Sequence, residues 1–178
     1  MKKLLFLLIL TLPILVQAQP EIGSIKYLDF KKSYKSVRLG SDISTLNSSY
    51  LLRLSEKPDA SGCHLYTYSD PAALNFGSGV QLKRIQIKAY YDKIASVYLF
   101  FDQSDGKKIK EIFTTAYGTV YSQKDDLLDQ YVWLGSLADV YLTYEDSNLS
   151  AAIYSDLILN KIIASKAKNS TSQAASDL

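Results

Sequence analysis

The chain of 178 residues contains one cysteine, one histidine, one methionine and one tryptophan, and only four prolines. Two of these shortages close off whole classes of chemistry. With a single thiol at Cys63 no internal disulfide can form, so packing must hold the fold together. On a strand such a residue reads as a small buried hydrophobe. Zinc sites take three or four His or Cys ligands, which Cys63 and His64 cannot supply. Nor do these two neighbours make a nucleophile–base dyad, because successive side chains on a strand point to opposite faces. Gly77-Ser78-Gly79 is no phosphate cradle, since neither Lys-Ser/Thr nor a helix follows it. The residues therefore predict no catalytic centre of these kinds, no metal and no cofactor.

Cationic excess is also missing. The whole chain holds 20 Lys and Arg against 18 Asp and Glu. Two of the cations, Lys2 and Lys3, precede an apolar run from Leu4 to Val16, with Val16-Gln17-Ala18 placed as a peptidase site. This is the pattern of a cleavable export signal over residues 1–18. The run is too short to span a bilayer, which takes ~20 residues. The expected product begins near Gln19, is formally neutral, and works in the periplasm or outside the cell with no transmembrane anchor. A neutral body lacks the dense positive face that nucleic acid requires. The remaining length suits one domain over 19–167, followed by a polar tail at 168–178 with no core-forming residues.

Tyrosine is what the chain has in quantity, with 14 copies. Tyrosines favour strands and give large contact area at low entropic cost. The hydrophobic pattern predicts an edge strand around Ile25–Phe30 and a helix near 42–55 capped at Ser41 or Asp42. Strands follow at Cys63–Tyr68, Leu82–Tyr90 and Ala95–Phe101, the last two joined by a turn at Asp92-Lys93. A helix at Lys107–Tyr117 ends on Gly118, which is suited to the left-handed position after a helix. After an acidic loop at 125–129 come strands at Gln130–Leu134, Ala138–Tyr144 and Leu149–Tyr154. Ser155 or Asp156 then caps a last helix, with Ile158, Leu159, Ile162 and Ile163 inward. The predicted class is α+β: an antiparallel sheet with helices on one face, in a tandem helix-plus-three-strand repeat.

The runs VRLGSDIS (37–44), AYG (116–118), VWLG (132–135), VYLTY (140–144) and AAIYS (151–155) occur within that tandem. In architecture it resembles β-lactamase-inhibitor-protein-like modules and small envelope domains of the SmpA/OmlA type. The resemblance implies a non-enzymatic exported protein that binds a protein or envelope component, as an inhibitor or immunity protein does. It carries no individual binding residue across.

One face of the expected sheet should pack on the helices through Ile85, Ile87, Val97, Leu99, Val140, Leu142 and Ile153. The other then shows Arg84, Gln86, Lys88, Tyr98, Phe100, Tyr141, Thr143 and Tyr154. That mixture of Tyr, Phe and Arg matches the centre of protein–protein interfaces. If that face stays open, the candidate binding residues are Arg84, Lys88, Tyr98, Phe100, Tyr141 and Tyr154. If the N-terminal segment or the last helix covers it, the same residues form a second core layer. Two other readings remain open. Asp125, Asp126 and Asp129, with Glu145 and Asp146, would serve a carboxylate-dependent hydrolase of envelope glycans. An enclosed cavity between sheet and helices would mark a small apolar-ligand carrier.

Overall fold

The computed structural model describes residues 19–119, 121–125, 128–144 and 150–176; the side chains of 121–125, 128–129, 170 and 172–176 are outside that description. The order begins α1 (Ile25–Lys31), β1 (Ser33–Tyr34), β2 (Val37–Arg38), two 3₁₀ turns (Ile43–Thr45 and Ser48–Tyr50) and β3 (Leu51–Arg53). Next come β4 (Cys63–Tyr68), α2 (Pro71–Leu74), β5 (Asn75–Gly77), β6 (Val80–Gln81), β7 (Arg84–Tyr90) and β8 (Lys93–Phe100). The second half holds α3 (Gly106–Tyr117), β9 (Tyr121–Asp125), β10 (Leu128–Leu134), β11 (Ala138–Thr143), β12 (Ala151–Asp156) and α4 (Leu157–Ser176).

An eight-stranded sheet runs in the order β3-β4-β7-β8-β12-β11-β10-β9. All of its neighbours are antiparallel. It consists of two four-stranded meanders joined through their last strands, β8 and β12. The expected α+β class holds, and the halves do repeat, but as a helix with four sheet strands rather than three. The additional strands are β3 and β9. Of the expected acidic loop at 125–129, Asp125 ends β9 and pairs with Leu128, Asp129 on β10 pairs with Lys124, and 126 and 127 lie outside the described residues.

Two early expectations are corrected. The segment 42–55 is not a helix. Asp42 caps as expected, accepting from Ser44 N–H, but Asn47 caps again five residues later through Ser49 N–H. Short polar side chains that bond the local backbone compete with helix propagation, so the chain makes two separate turns and then β3. The helix of the first half lies earlier, at Ile25–Lys31, where a strand was expected; its buried residue Leu28 faces the core.

α1 and α3 pack on one face of the sheet, here the inner face. Alternation along β7 puts Ile85, Ile87 and Ala89 there, all with no exposed surface. Opposite them in register stand Leu99 and Val97 of β8, then Ala152 and Tyr154 of β12, then Leu142 and Val140 of β11. From α3, Ile109, Phe113 and Tyr117 insert at four-residue spacing, the stripe an amphipathic helix presents. Phe113 meets Trp133 and Tyr154 edge-on, at centroid distances of 5.4 and 5.7 Å. Trp133 Nε1 donates to Gly118 O, and Gly118 takes the left-handed φ of +86° expected after the helix.

α4 is different. Its N-terminus is capped by Asp156, whose Oδ1 accepts from Ile158 and Leu159 N–H. The helix then turns to the other face, where Ile163 and Leu159 pack with Cys63, Ala95 and Tyr90. Helices thus lie on both faces, and only part of the second is covered. Ile158 and Ile162, expected inward, are exposed. α4 also continues to Ser176, through the segment expected to be an unstructured tail.

Candidate functional site

Register places seven residues in one line across the outer face: Leu52, Thr67, Gln86, Tyr98, Ile153, Tyr141 and Val132, each directly opposite the next. Directly opposed residues share a face and have Cβ atoms ~5 Å apart, so this line is a continuous strip. A parallel line holds Arg84, Phe100, Ala151 and Thr143. A third holds Lys88, Ser96, Ser155, Asp139 and Leu134. Five of the six expected binding residues, Arg84, Lys88, Tyr98, Phe100 and Tyr141, therefore do share one face.

Tyr154 does not. It stands opposite Val97 and Val140 on the inner face and is 3 % exposed. Its hydroxyl lies 3.1 Å from that of Tyr117, and burial holds the phenol well above its ordinary pKa. Its neighbour Ile153, expected inward, takes the outer position. In the run AAIYSD both parities carry apolar residues, so alternation does not tell which set faces the helices; the partners on β8 and β11 decide it.

The outer strip is half-buried over its middle and buried at Val132. Tyr98, Phe100, Tyr141 and Ile153 are all intermediate in exposure, while Leu52 at one end is 66 % exposed and Leu134 near the other 60 %. The Arg84 guanidinium carbon lies 4.3 Å from the Phe100 centroid, a cation–π stack worth ~1 kcal/mol at such a site. Lys88 reaches towards Asp59 at 3.9 Å. Apart from α4, which packs at the Cys63 and Ala95 end, the helices of the described residues sit on the inner face or at the sheet's periphery.

Asp139, on the third line, is a buried carboxylate of the outer face. Its residue exposure is 3 %, and Oδ1 has no hydrogen-bond partner. Burial pushes its pKa up to about 6, against hydrogen bonds from Ser155 and Tyr141 that pull it down. Tyr141 is raised in turn, by burial first and then by the Asp139 charge. Nothing in its sequence context marks Asp139, since a lone Asp between apolar residues reads as an outward strand position. Leu52 and Leu134 are missed for a similar reason, because each looks like core when read alone.

The rival readings find less. Asp126, Glu145 and Asp146 lie outside the described residues, as do the side chains of Asp125 and Asp129. Among the described residues no group of three or more His, Cys, Asp or Glu could hold a metal ion, and none of their helices is long and apolar enough to cross a membrane. A cleft of about 490 Å³ lies on the solvent side of α3, between Ile22, Ser78 and Ile112, not between sheet and helices.

No family model and no curated protein matches the chain. Among solved structures, a cysteine-rich secretory protein from Staphylococcus aureus aligns with 68 % of this chain and 45 % of its own length, at 17 % identity and a TM-score of 0.34. The chain thus spans less than half of that protein. Likeness at this level carries no argument about function.

Proposed function

We propose that this protein is an exported, non-catalytic binding protein of the bacterial envelope, which docks a protein partner on the outer face of its sheet. The observation that supports it is the strip through Tyr98, Ile153 and Tyr141, flanked by the Arg84–Phe100 stack, with exposed Leu52 at one end and exposed Leu134 on the line beside the other. Aromatic and Arg side chains held on a rigid sheet lose little entropy when a partner covers them. The run Tyr98–Ile153–Tyr141 sets apolar and aromatic side chains side by side, and contiguous apolar surface of this kind usually marks a contact site. An inhibitor or immunity protein is the specific form this reading takes, because a rigid pre-formed face suits blocking another protein's surface. Export follows from the Lys2–Ala18 pattern, and the neutral charge of the remaining chain argues against nucleic acid as the partner.

The test compares the protein with a Tyr98→Lys variant in affinity capture from envelope extract of the source cells. A partner retained by the natural chain, and reduced by about tenfold or more in a variant with unchanged melting, supports the reading. The same proteins retained by both, or none by either, overturns it.

A further inference from the structure

At the opposite end of the β7–β8 hairpin from the Arg84–Phe100 stack, the chain turns through Tyr91 and Asp92. Both have positive φ, +44° and +62°, which makes the connection a type I′ turn. Asn, Asp and Gly suit the first of these positions, and a bulky aromatic does not. Tyr91 nonetheless holds it, as a residue 67 % exposed. A residue that breaks a local rule while leaving two thirds of its surface open calls for a reason beyond its contact with Tyr90, whose ring it meets edge-on at a centroid distance of 4.6 Å. Strain of this kind gathers at functional sites.

The surroundings supply that reason. Tyr91 and Asp92 line a cleft of about 380 Å³ together with Asp59, Gly62, His64 and Lys166. Lys166 reaches over from α4; its Nζ donates to Tyr91 Oη at 2.9 Å and lies 4.8 Å from the Tyr91 centroid. Of the three ammonium hydrogens this uses one. The Asp59 carboxylate is held below its usual range: burial raises it, but hydrogen bonds from Ser61 and Cys63 and the charge of Lys88 outweigh that. Oδ1 takes the Ser61 and Cys63 bonds, leaving Oδ2 with Lys88 at 3.9 Å. No hydrogen bond or ion pair engages the Asp92 carboxylate among the described residues. His64 Nδ1 is buried without a partner.

We infer that this cleft is a saccharide-binding site, in which the Tyr91 ring stacks on the apolar face of a neutral sugar while Asp59, Asp92 and Lys166 bond its hydroxyls. The charge pattern selects that class. An anion entering the cleft meets two carboxylates, and a cation meets Lys166. A neutral hydroxyl donates to the first and accepts from the second, so it satisfies both kinds of group. The flat exposed ring provides the apolar contact that polar groups alone lack. None of these residues belongs to the outer strip, so the inference stands apart from the proposed protein partner.

The experiment titrates ¹⁵N-labelled protein with chitotetraose, maltotetraose, inorganic phosphate and lysine amide, following backbone amide shifts. Support is a saturable shift confined to Gly62, His64, Tyr91 and Asp92 with one of the saccharides. It also requires that Tyr91→Asn weaken the binding about tenfold or more. Because Asn suits a type I′ turn, that variant keeps or raises the melting midpoint, which separates lost binding from lost fold. Asp92→Asn weakens the same saccharide without moving the turn. The inference is overturned if neither saccharide moves these amides, if phosphate or lysine amide moves them instead, or if Tyr91→Asn lowers the midpoint and leaves saccharide binding intact.

Discussion

The carboxylate of Asp29, on α1, accepts from three consecutive backbone N–H groups of the β10–β11 turn. Oδ2 takes Ser136 at 2.8 Å, while Oδ1 takes Leu137 at 2.7 Å and Ala138 at 3.0 Å. One side chain therefore fixes the first-half helix to the second-half sheet. Asp29→Ala orphans all three donors and is expected to cost about 2–4 kcal/mol. Urea unfolding measures the loss, and faster hydrogen exchange confined to the 136–138 amides identifies its source.

Asp139 gives the fold a pH dependence of unusual sign. Its folded pKa, about 6, lies above the unfolded value of 3.8, so the native state binds the proton more tightly. Stability from this group is therefore present in full below the unfolded pKa and is lost as pH rises towards about 6. Asp42 and Asp59 are shifted the other way, and their effects fall below the unfolded value. Asp139→Asn is expected to flatten stability between about pH 4 and 6, and to stabilise at pH 7 by up to about 3 kcal/mol. Melting curves across that range check both effects.

Tyr154 and Tyr98 stand in neighbouring register but do opposite jobs. Tyr154→Phe removes one of two paired buried hydroxyls and should cost about 1–2 kcal/mol, leaving partner capture unchanged. Tyr98→Lys should melt within about 1 kcal/mol of the natural chain yet lose the partner. Thermal melts beside capture assays separate the two.

Arg84 is expected to behave as an anchor of the strip rather than as part of the core. Arg84→Ala forfeits the stack on Phe100, about 1 kcal/mol at most in the free protein. In the complex the same change should cost at least twice that, since a covered guanidinium is no longer screened by water. Calorimetric titration with the captured partner reads the difference.

Much of this architecture was legible from periodicity. Strict alternation in Arg84–Tyr90, and the stripe of Ile109, Phe113 and Tyr117, announced β7 and α3 because each has one apolar face. The illegible parts have identifiable causes. A register shift at Lys88/Ala89, with α4 packed over Ala95 and Ser96, leaves Ile94, Ala95, Ser96 and Val97 all buried, which no alternating pattern anticipates. β9 reads YSQKD and carries no apolar alternation, so only its pairing with β10 reveals it. α1 is seven residues with one Ile, one Tyr and one Phe, types that favour strands, and tertiary packing of Leu28 overrides them. For the binding strip, five residues followed from parity along single strands. Tyr154 and Ile153 were exchanged because parity within AAIYSD is ambiguous until its neighbours are known.

The central claim is that the outer sheet face meets a partner protein in the envelope. It is tested most directly by photo-crosslinking in the source cells, with the reactive residue placed at Tyr98 or, as a control, at exposed Glu111 on the far side of α3. The account predicts a discrete protein adduct from position 98 that is lost with Ile153→Lys and absent from position 111. No adduct at position 98, or the same adducts from both positions, would contradict it.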